Sequence, residues 1–531
     1  MSGSARERPR RDGAAAPWPE WMPPAAVALA FLILYTHTFI VVHRFDAVGN
    51  VVAARGPDPR AWFDPQHLLY VWGAHLLGGV VGPDRLVRSL QGVSAVAAAG
   101  CLGMYGVILQ RLVHPRLRVL PLLAVTLLGL SASFWVSAVE TDPYALTLAS
   151  LAAATFCYLR AGETGMVSWH VMAGIAAALG TLVHQMVALF ALAYVLALVG
   201  TRPRRLQSML AFLIPVGLAT GSVYLAIGYA YGFFHDVASL LRWLTTQAHQ
   251  GPWGPPGRPK LIEGLYGFLY SVAGGAGGLV PTTAVRTAAV LVLIGGAWMG
   301  LRRLRAVDPP RPDHRRETSV VAMAALGCAW LAIFVPFIVW HAGFTPAHWQ
   351  FVTMPLLILA VCAADRLGGE ASRVRRGVVV AAMVLCCGVV GTLNYVRVIA
   401  PLTSHDAGSA FAHDALARMP PGARVVAPIG VTTILMIDRL GGDAVFVVPH
   451  RLAPGDTPAA ALARLRRFVE RSWGEGRPVW VFGSLLEPSA DGYLGDPAFG
   501  RDVGDLLCAL AGDPRVVVLD TTSVRQAPRA F

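Results

Sequence analysis

Residues 120–159 read LPLLAVTLLGLSASFWVSAVETDPYALTLASLAAATFCYL, and Glu140 and Asp142 are the only charged residues in the run. A membrane-crossing helix needs about 20 predominantly apolar residues. The stretch therefore reads as two spans joined by the short turn VETDPY. Pro143 suits the first turn of the second helix. Asp142 suits that helix's N-cap, a role worth about 1 kcal/mol. A plain turn has no need of Glu140.

Working outward, the whole chain has the same character. Its 531 residues are 55% hydrophobic and 14% charged, against about 25% charged in an average soluble chain. Mean hydropathy is +0.55. The fold class this implies is a polytopic α-helical membrane protein. Apolar runs near 24–42, 88–110, 117–138, 143–160, 168–183, 186–200, 208–231, 284–301, 319–341, 348–365 and 377–397 predict about eleven transmembrane helices. The formal charge of +13 would suit a nucleic-acid binder, but the basic residues cluster between apolar runs. Arg6, Arg8, Arg10 and Arg11 precede the first run, and Arg111, Arg116 and Arg118 follow the second. Arg202, Arg204 and Arg205, then Arg302, Arg303 and Arg305, then Arg366, Arg373, Arg375 and Arg376 repeat the pattern. With eleven spans every cluster falls on one side, which the positive-inside rule makes cytoplasmic. No nucleic-acid partner is expected.

That topology places loops 43–87, 139–142, 232–283 and 342–347 outside, together with everything after about residue 400. The apolar but short segment 66–81 reads as a helix lying in the outer interface. From about Ser404 the pattern changes: β-rich runs at 423–429, 443–448, 478–484 and 515–521 alternate with helical stretches at 458–473 and 501–512. This predicts a small C-terminal extracytoplasmic α/β domain with a mainly parallel sheet. The expected organisation is a basic cytoplasmic N-terminus (1–23), a transmembrane domain with catalytic outer loops (24–400), and the α/β domain (401–531). The seven cysteines show no metal-binding spacing and no disulfide framework.

Ion-coupled transporters carry ionisable groups near the midplane. Few ionisable groups sit inside the spans here; His37 and His184 are the main exceptions, and His184, at the fifth-span boundary, reads as a packed or interfacial histidine. The acids collect instead at the outer span ends. Asp46 follows the first span by a few residues, and Asp58 and Asp64 sit in Pro-flanked turns. His67 and Tyr70 open the 66–81 segment. Asp46, Glu140 and Asp142 together would form a carboxylate cluster at the membrane boundary. Such a cluster can deprotonate a hydroxyl, hold a divalent cation, or do both.

These segments carry a resemblance. The acid at Asp46, FDPQHLLY (63–70), the arginine-led RLVRSLQGVSAV (85–96) and SASFWVSAVETDPYAL (131–146) match, in order and spacing, motifs of membrane glycosyltransferases of the GT-C superfamily. The match is with the protein O-mannosyltransferase-like group. It covers about 100 residues, and the last motif is the most specific. The resemblance implies a GT-C-like membrane domain that moves a sugar from a polyprenyl-phosphate donor to an acceptor hydroxyl, with inversion at the anomeric carbon. It implies Asp46 as general base, with Glu140 or Asp142 holding the acceptor or orienting a cation with His67. Asp46, His67 and Glu140 are thus the candidate metal ligands. The leaving phosphate needs positive charge. Candidates are Arg242, His249, Arg258 and Lys260 in RWLTTQAHQGPWGPPGRPK, and His341 and His348 in WHAGFTPAHWQ. Tyr70 and Tyr144 read as packing or interface residues beside the substrate. Expected partners are membrane lipid, the lipid-linked donor, and an acceptor glycan, lipid or protein. The expected location is the inner or plasma membrane. The competing readings are a lipid or polymer flippase, which would show related halves, and a non-catalytic scaffold.

Overall fold

The computed structural model describes residues 19–201, 205–245, 258–274, 314–368, 373–404, 407–428, 431–448, 457–486 and 497–521. The first part of the chain is helical: α1 (Met22–His37), α2 (Phe45–Arg55), α3 (Leu68–Val81), α4 (Leu86–Leu112), α5 (Val119–Leu130), α6 (Ala132–Val139), α7 (Tyr144–Thr164), α8 (Ser168–Val183), α9 (Ala188–Thr201), α10 (Arg205–Ala230) and α11 (Val237–Leu244). It continues with α12 (Arg258–Ala273), α13 (His314–Ala342), α14 (Pro346–Gly368) and α15 (Arg373–Asn394). Among the described residues, six helices are long and apolar enough to cross a membrane: Pro83–Leu112, Tyr144–Thr164, Arg205–Ala230, Glu317–Ala342, Pro346–Arg366 and the run beginning at Arg376. A seventh follows if α5 and α6 count as one span.

The expected eleven spans are therefore not reproduced at full length. The runs at 24–42, 168–183 and 186–200 fold as helices of 16, 16 and 14 residues. At 1.5 Å per residue these fall short of a hydrocarbon core about 30 Å thick. The expected span 284–301 lies outside the described residues. The expected span 117–138 is broken: α5 and α6 meet at 66°. Ser131 is extended at the joint (φ −65°, ψ 143°), and its hydroxyl donates to the Leu128 carbonyl at 2.7 Å. Hydropathy counts apolar residues and is blind to such a bend.

The bend matters because α6 is wholly buried and delivers the 140–143 turn. Close helix contact fixes it. A Cβ added at Gly106 would stand 2.9 Å from Pro24 Cβ, and one at Gly129 would stand 2.6 Å from the Phe31 ring. Only glycine lets α4 and α5 approach α1 so closely. Polar pins then set the register. Tyr35 Oη donates to the Gly129 carbonyl (2.9 Å), and Trp135 Nε1 donates to Thr38 Oγ1 (3.0 Å). Tyr105 Oη, fully buried, donates to the Met354 carbonyl (2.6 Å). Gln91, also fully buried, donates through Nε2 to the carbonyls of Ile40 (2.8 Å) and Val139 (2.9 Å). One amide thus ties together the two segments that carry the acids. Gln91→Leu leaves two buried carbonyls without that donor, at about 1–3 kcal/mol for an unsatisfied group. The expected result is a clearly lower unfolding midpoint in detergent; an unchanged midpoint would show that these bonds hold nothing together.

After a short helix, Ala400–Ser404, the chain forms α16 (Ala407–Arg418), β1 (Arg424–Pro428), α17 (Val431–Leu440), β2 (Val445–Val448), α18 (Pro458–Gly474), β3 (Val479–Phe482), α19 (Pro497–Ala511) and β4 (Val516–Leu519). The four strands are all parallel in the order β2-β1-β3-β4, with Val425 opposite both Val445 and Trp480. Of the two inner strands, β3 is buried along its whole length, as strands covered on both faces must be. This unit rests on the acid-bearing loop. Val41 and Val42 N–H donate to the Leu402 carbonyl (2.8 and 3.1 Å). At Gly49 of α2, a Cβ would lie 3.9 Å from Ile434 Cδ1 of α17.

Candidate functional site

The sequence HRFD at 43–46 leaves the α1 exit as extended chain and re-enters helix at Phe45. Asp46 falls in the first turn of α2 and is exposed. A carboxylate there is stabilised by the helix dipole, so its position is natural on structural grounds alone. What goes beyond that is its neighbourhood. Asp46, Asp142, Arg44, Tyr144 and the Thr345–Ala347 segment line one cavity of about 120 Å³, floored by Ser133 and Val136 of α6. Two of the three expected acids, from separate stretches of chain, are thus brought to a single opening.

Glu140 is close by but does not line that cavity. It is fully enclosed. His43 Nδ1 donates to its Oε1 at 2.5 Å, and the Arg44 backbone N–H donates to Oε2 at 3.2 Å. The Arg44 side chain bridges the acids: Nη2 lies 3.0 Å from Asp142 Oδ2, and Nε lies 3.7 Å from Glu140 Oε2. Nη2 also donates to Ser137 Oγ at 3.4 Å. The guanidinium lies over the Tyr144 ring, 5.7 Å from its centre. Asp142 does cap α7, accepting the Tyr144 N–H at 3.1 Å, so the cap and the ion pair share one carboxylate.

The two acids respond oppositely to this setting. Burial pushes Glu140 up, but the His43 hydrogen bond and charge, with Arg44, outweigh it and hold the carboxyl below its ordinary value. Burial pushes Asp142 up to about 7, with the Glu140 and Asp46 charges adding to it and Arg44 opposing. The sign of the stability effect follows by linkage. An unfolded Asp142 loses its proton near 3.8, while the folded one keeps it to about 7. Stability present below the lower value is therefore lost as pH rises through the upper one. Melting midpoints of detergent-solubilised protein are expected to fall between pH 5 and pH 8, and Asp142→Asn to flatten that decline. A decline of the same size in the variant would assign it to another group.

The remaining candidates are distributed around this core. His67 is the N-cap residue of α3, buried, with its ring edge-on to His184 at 4.8 Å. Tyr70 is buried in α3. Tyr144 opens α7, and its ring meets His184 (5.1 Å), His348 (6.1 Å) and Phe351 (6.0 Å). His348, near the start of α14, also stacks on His341 at 5.6 Å. Lys260 in the first turn of α12 lies 3.8 Å from Glu263 and within the electrostatic reach of His341. Arg242 is exposed on α11. The Arg258 side chain and His249 lie outside the described residues.

Asp46, His67 and Glu140 do not assemble into the expected metal set. Among the described residues no group of three or more His, Cys, Asp or Glu could hold a metal ion. The physical reason is visible at Glu140, whose oxygens already face N–H donors and a guanidinium. Sequence reading passed over two residues, His43 and Arg44, which bind the acids; His184, read as a packed or interfacial histidine, touches both His67 and Tyr144. The adjacency of HR to FD was the available signal for the first two.

No family model matches the chain, and no curated protein does. Among solved structures it is similar to ArnT from Cupriavidus metallidurans bound to undecaprenyl phosphate, at 14% identity and TM-score 0.48, over 94% of this chain and 89% of that one. It is also similar to the Archaeoglobus fulgidus oligosaccharyltransferase in complex with Zn and sulfate, at 14% identity and TM-score 0.46, over 81% and 62%. A third likeness is to the arabinofuranosyltransferase AftD from Mycobacteria, at 14% identity and TM-score 0.44, over 82% and 33%.

Proposed function

We propose that the chain is an inverting membrane glycosyltransferase of the GT-C type, in the O-mannosyltransferase-like group, that moves a sugar from a polyprenyl-phosphate donor to an acceptor hydroxyl. The observation that carries this reading is the shared cavity: Asp46 and Asp142 open together at the ends of apolar helices, beside one buried guanidinium. Asp46 is the exposed carboxylate of the pair, and the one not committed to Arg44. It accepts the acceptor's hydroxyl proton as the oxygen attacks the anomeric carbon. The new glycosidic C–O bond forms as the bond from that carbon to the phosphate oxygen breaks, and polyprenyl phosphate departs. Asp142 receives acceptor hydroxyls at the cavity wall. Glu140 fixes the Arg44 backbone and side chain. Lys260 is the cation assigned to the departing phosphate, supported by its electrostatic effect on His341, which stacks on His348 beside Tyr144.

The lipid tail explains why such chemistry belongs at a span end. Each CH2 withdrawn from the bilayer costs about 0.8 kcal/mol, so the enzyme must meet its donor at the surface. The proposed topology has eleven spans, a cytoplasmic N-terminus, and the 401–531 unit outside the inner or plasma membrane. The acceptor is a glycan, lipid or protein of the cell envelope. The test is transfer by purified protein from a panel of radiolabelled polyprenyl-phosphate hexoses and pentoses to envelope acceptors. Transfer from one donor supports the proposal, and turnover of none refutes it. Protection of residues 401–531 from protease in intact spheroplasts would refute the topology.

A further inference from the structure

The last span, α15, ends at Asn394, which is fully buried. A single π-helical turn follows, Tyr395–Ile399, and then the short helix Ala400–Ser404. Such wide turns are rare and recur at functional positions. This one stands where three parts of the site meet. Asn394 Nδ2 donates to the Leu130 carbonyl (2.8 Å) and to the Val272 carbonyl of α12 (2.9 Å). Leu130 is the last residue of α5, beside the extended Ser131. The next residue after Asn394, Tyr395, stacks its ring on Trp135 of α6, with 6.0 Å between centres. Farther on, the Leu402 carbonyl takes the N–H groups of Val41 and Val42, on the way to Asp46. The stretch 394–402 therefore touches the α5–α6 bend, the middle of α6 and the exit of α1.

The bend depends on donors from outside the helix. A straight helix satisfies each carbonyl with the N–H four residues on. Extended backbone at Ser131 breaks that ladder. The carbonyls of Leu128, Gly129 and Leu130 are taken instead by Ser131 Oγ, Tyr35 Oη and Asn394 Nδ2, at 2.7, 2.9 and 2.8 Å. In an apolar surrounding such replacement is obligatory. Without Asn394, the Leu130 carbonyl regains a partner if the joint straightens toward the Phe134 N–H, and α6 swings. We infer that Asn394 is a positioning residue: by holding the α5–α6 bend it aims α6, and so sets where the Glu140–Asp142 turn stands relative to Asp46. The eight residues of α6 form a lever of about 12 Å, at about 1.5 Å per residue. A tilt of about 5° at the root of that lever moves the acid turn by about 1 Å, and misplacement of that size costs about 100-fold in rate. The ties at the far end follow the same frame. Gln91 joins Val139 to Ile40, and Arg44 joins Asp142 to the exit of α1, which itself hangs on Leu402. The inference rests on the glycosyl-transfer reading only for what the two acids do.

The test uses the full chain in detergent and has two readouts. The first is hydrogen exchange in the peptide spanning 137–146, which needs no turnover. It contains the Thr141 and Tyr144 amides, bonded to the Glu140 and Asp142 carboxylates. The second is transfer, with kcat and KM measured separately. Asn394→Leu keeps the size and deletes both donors. It is expected to speed exchange in that peptide by about tenfold, as local opening becomes easier. It is also expected to lower kcat by about tenfold to 100-fold with KM for the donor little changed. Tyr105→Phe is the structural control: it deletes a buried bond to the Met354 carbonyl, between α4 and α14. It is expected to lower the melting midpoint while leaving both readouts at wild-type values. Tyr395→Ala removes the contact with Trp135 from a residue 46% exposed, strands no carbonyl, and is expected to move both readouts in the same direction by about threefold. Unchanged exchange in Asn394→Leu overturns the inference, as does unchanged exchange in Tyr395→Ala where Asn394→Leu does not fold. Equal effects in Tyr105→Phe also overturn it, since any loss of stability would then suffice. Faster exchange in a protein that transfers nothing leaves Asn394 as the residue that seats the turn and removes the glycosyltransferase.

Discussion

Asp46→Asn is expected to reduce sugar transfer by about 100-fold to 10,000-fold, the contribution of a positioned general base, while leaving the protein folded. The two effects separate because Asp46 is exposed. Its structural work is confined to the first turn of α2, where a charge is worth about 0.3–1 kcal/mol. Asn keeps the shape but cannot take a proton. The companion substitution Asp142→Asn is informative by contrast. Asp142 is buried and bonded to Arg44 and to the α7 N-terminus, so its loss should raise the KM for acceptor more than it lowers kcat. Transfer is measured for both variants with saturating donor. Wild-type turnover in Asp46→Asn removes the base assignment. The reverse ranking, with Asp142→Asn the dead variant, moves the base across the cavity.

The parts of this site legible in the sequence were those written in local pattern. Apolar runs announced α4, α7, α10, α13 and α14 because a lipid-facing helix must be apolar along its length. An acid at a span end is conspicuous against such a background, which is why Asp46 and Asp142 could be named. The Ser131 bend was not legible, because it depends on α5 and α6 finding separate partners in the bundle. Glu140 was noticed for the right reason, that a turn does not require it. Its purpose came only with the fold: it is enclosed by His43 and Arg44, nearly a hundred positions earlier in the chain. Arg44 itself was hidden among many arginines that sort by topology. His184 was conspicuous as a histidine among apolar runs and was read as packed or interfacial; that it packs against His67 and Tyr144, both from distant stretches of chain, came only with the fold. Local signals report which residues are unusual; which of them meet is decided by packing.

Arg44 is where packing and chemistry are most tightly joined, and its removal is expected to be the most damaging single change to stability. The guanidinium is the cation that the side chains of Glu140 and Asp142 share, with 10% of its own side chain exposed and almost none of theirs. Breaking a buried pair by deleting one partner costs about 3–5 kcal/mol, since the charge left behind is desolvated and uncompensated. Arg44→Met keeps much of the stem but strands Asp142, while Glu140 loses the guanidinium and keeps His43 and the backbone N–H of residue 44. Arg44→Lys keeps the charge but offers a point donor on a flexible stem in place of a planar fork, so it is expected to recover only part of the loss. The loss should be largest near pH 8, where Asp142 is ionised, and should shrink toward pH 5 as that carboxyl takes up its proton. Combining Arg44→Met with Asp142→Asn removes one stranded charge and is expected to return part of the unfolding midpoint, a non-additivity that neighbouring groups in one network produce. Midpoints measured for the two single variants and the double variant at both pH values decide the matter. Strict additivity, or a loss independent of pH, would mean that Arg44 holds the turn by packing alone and that the acids at this opening are not electrostatically governed by it.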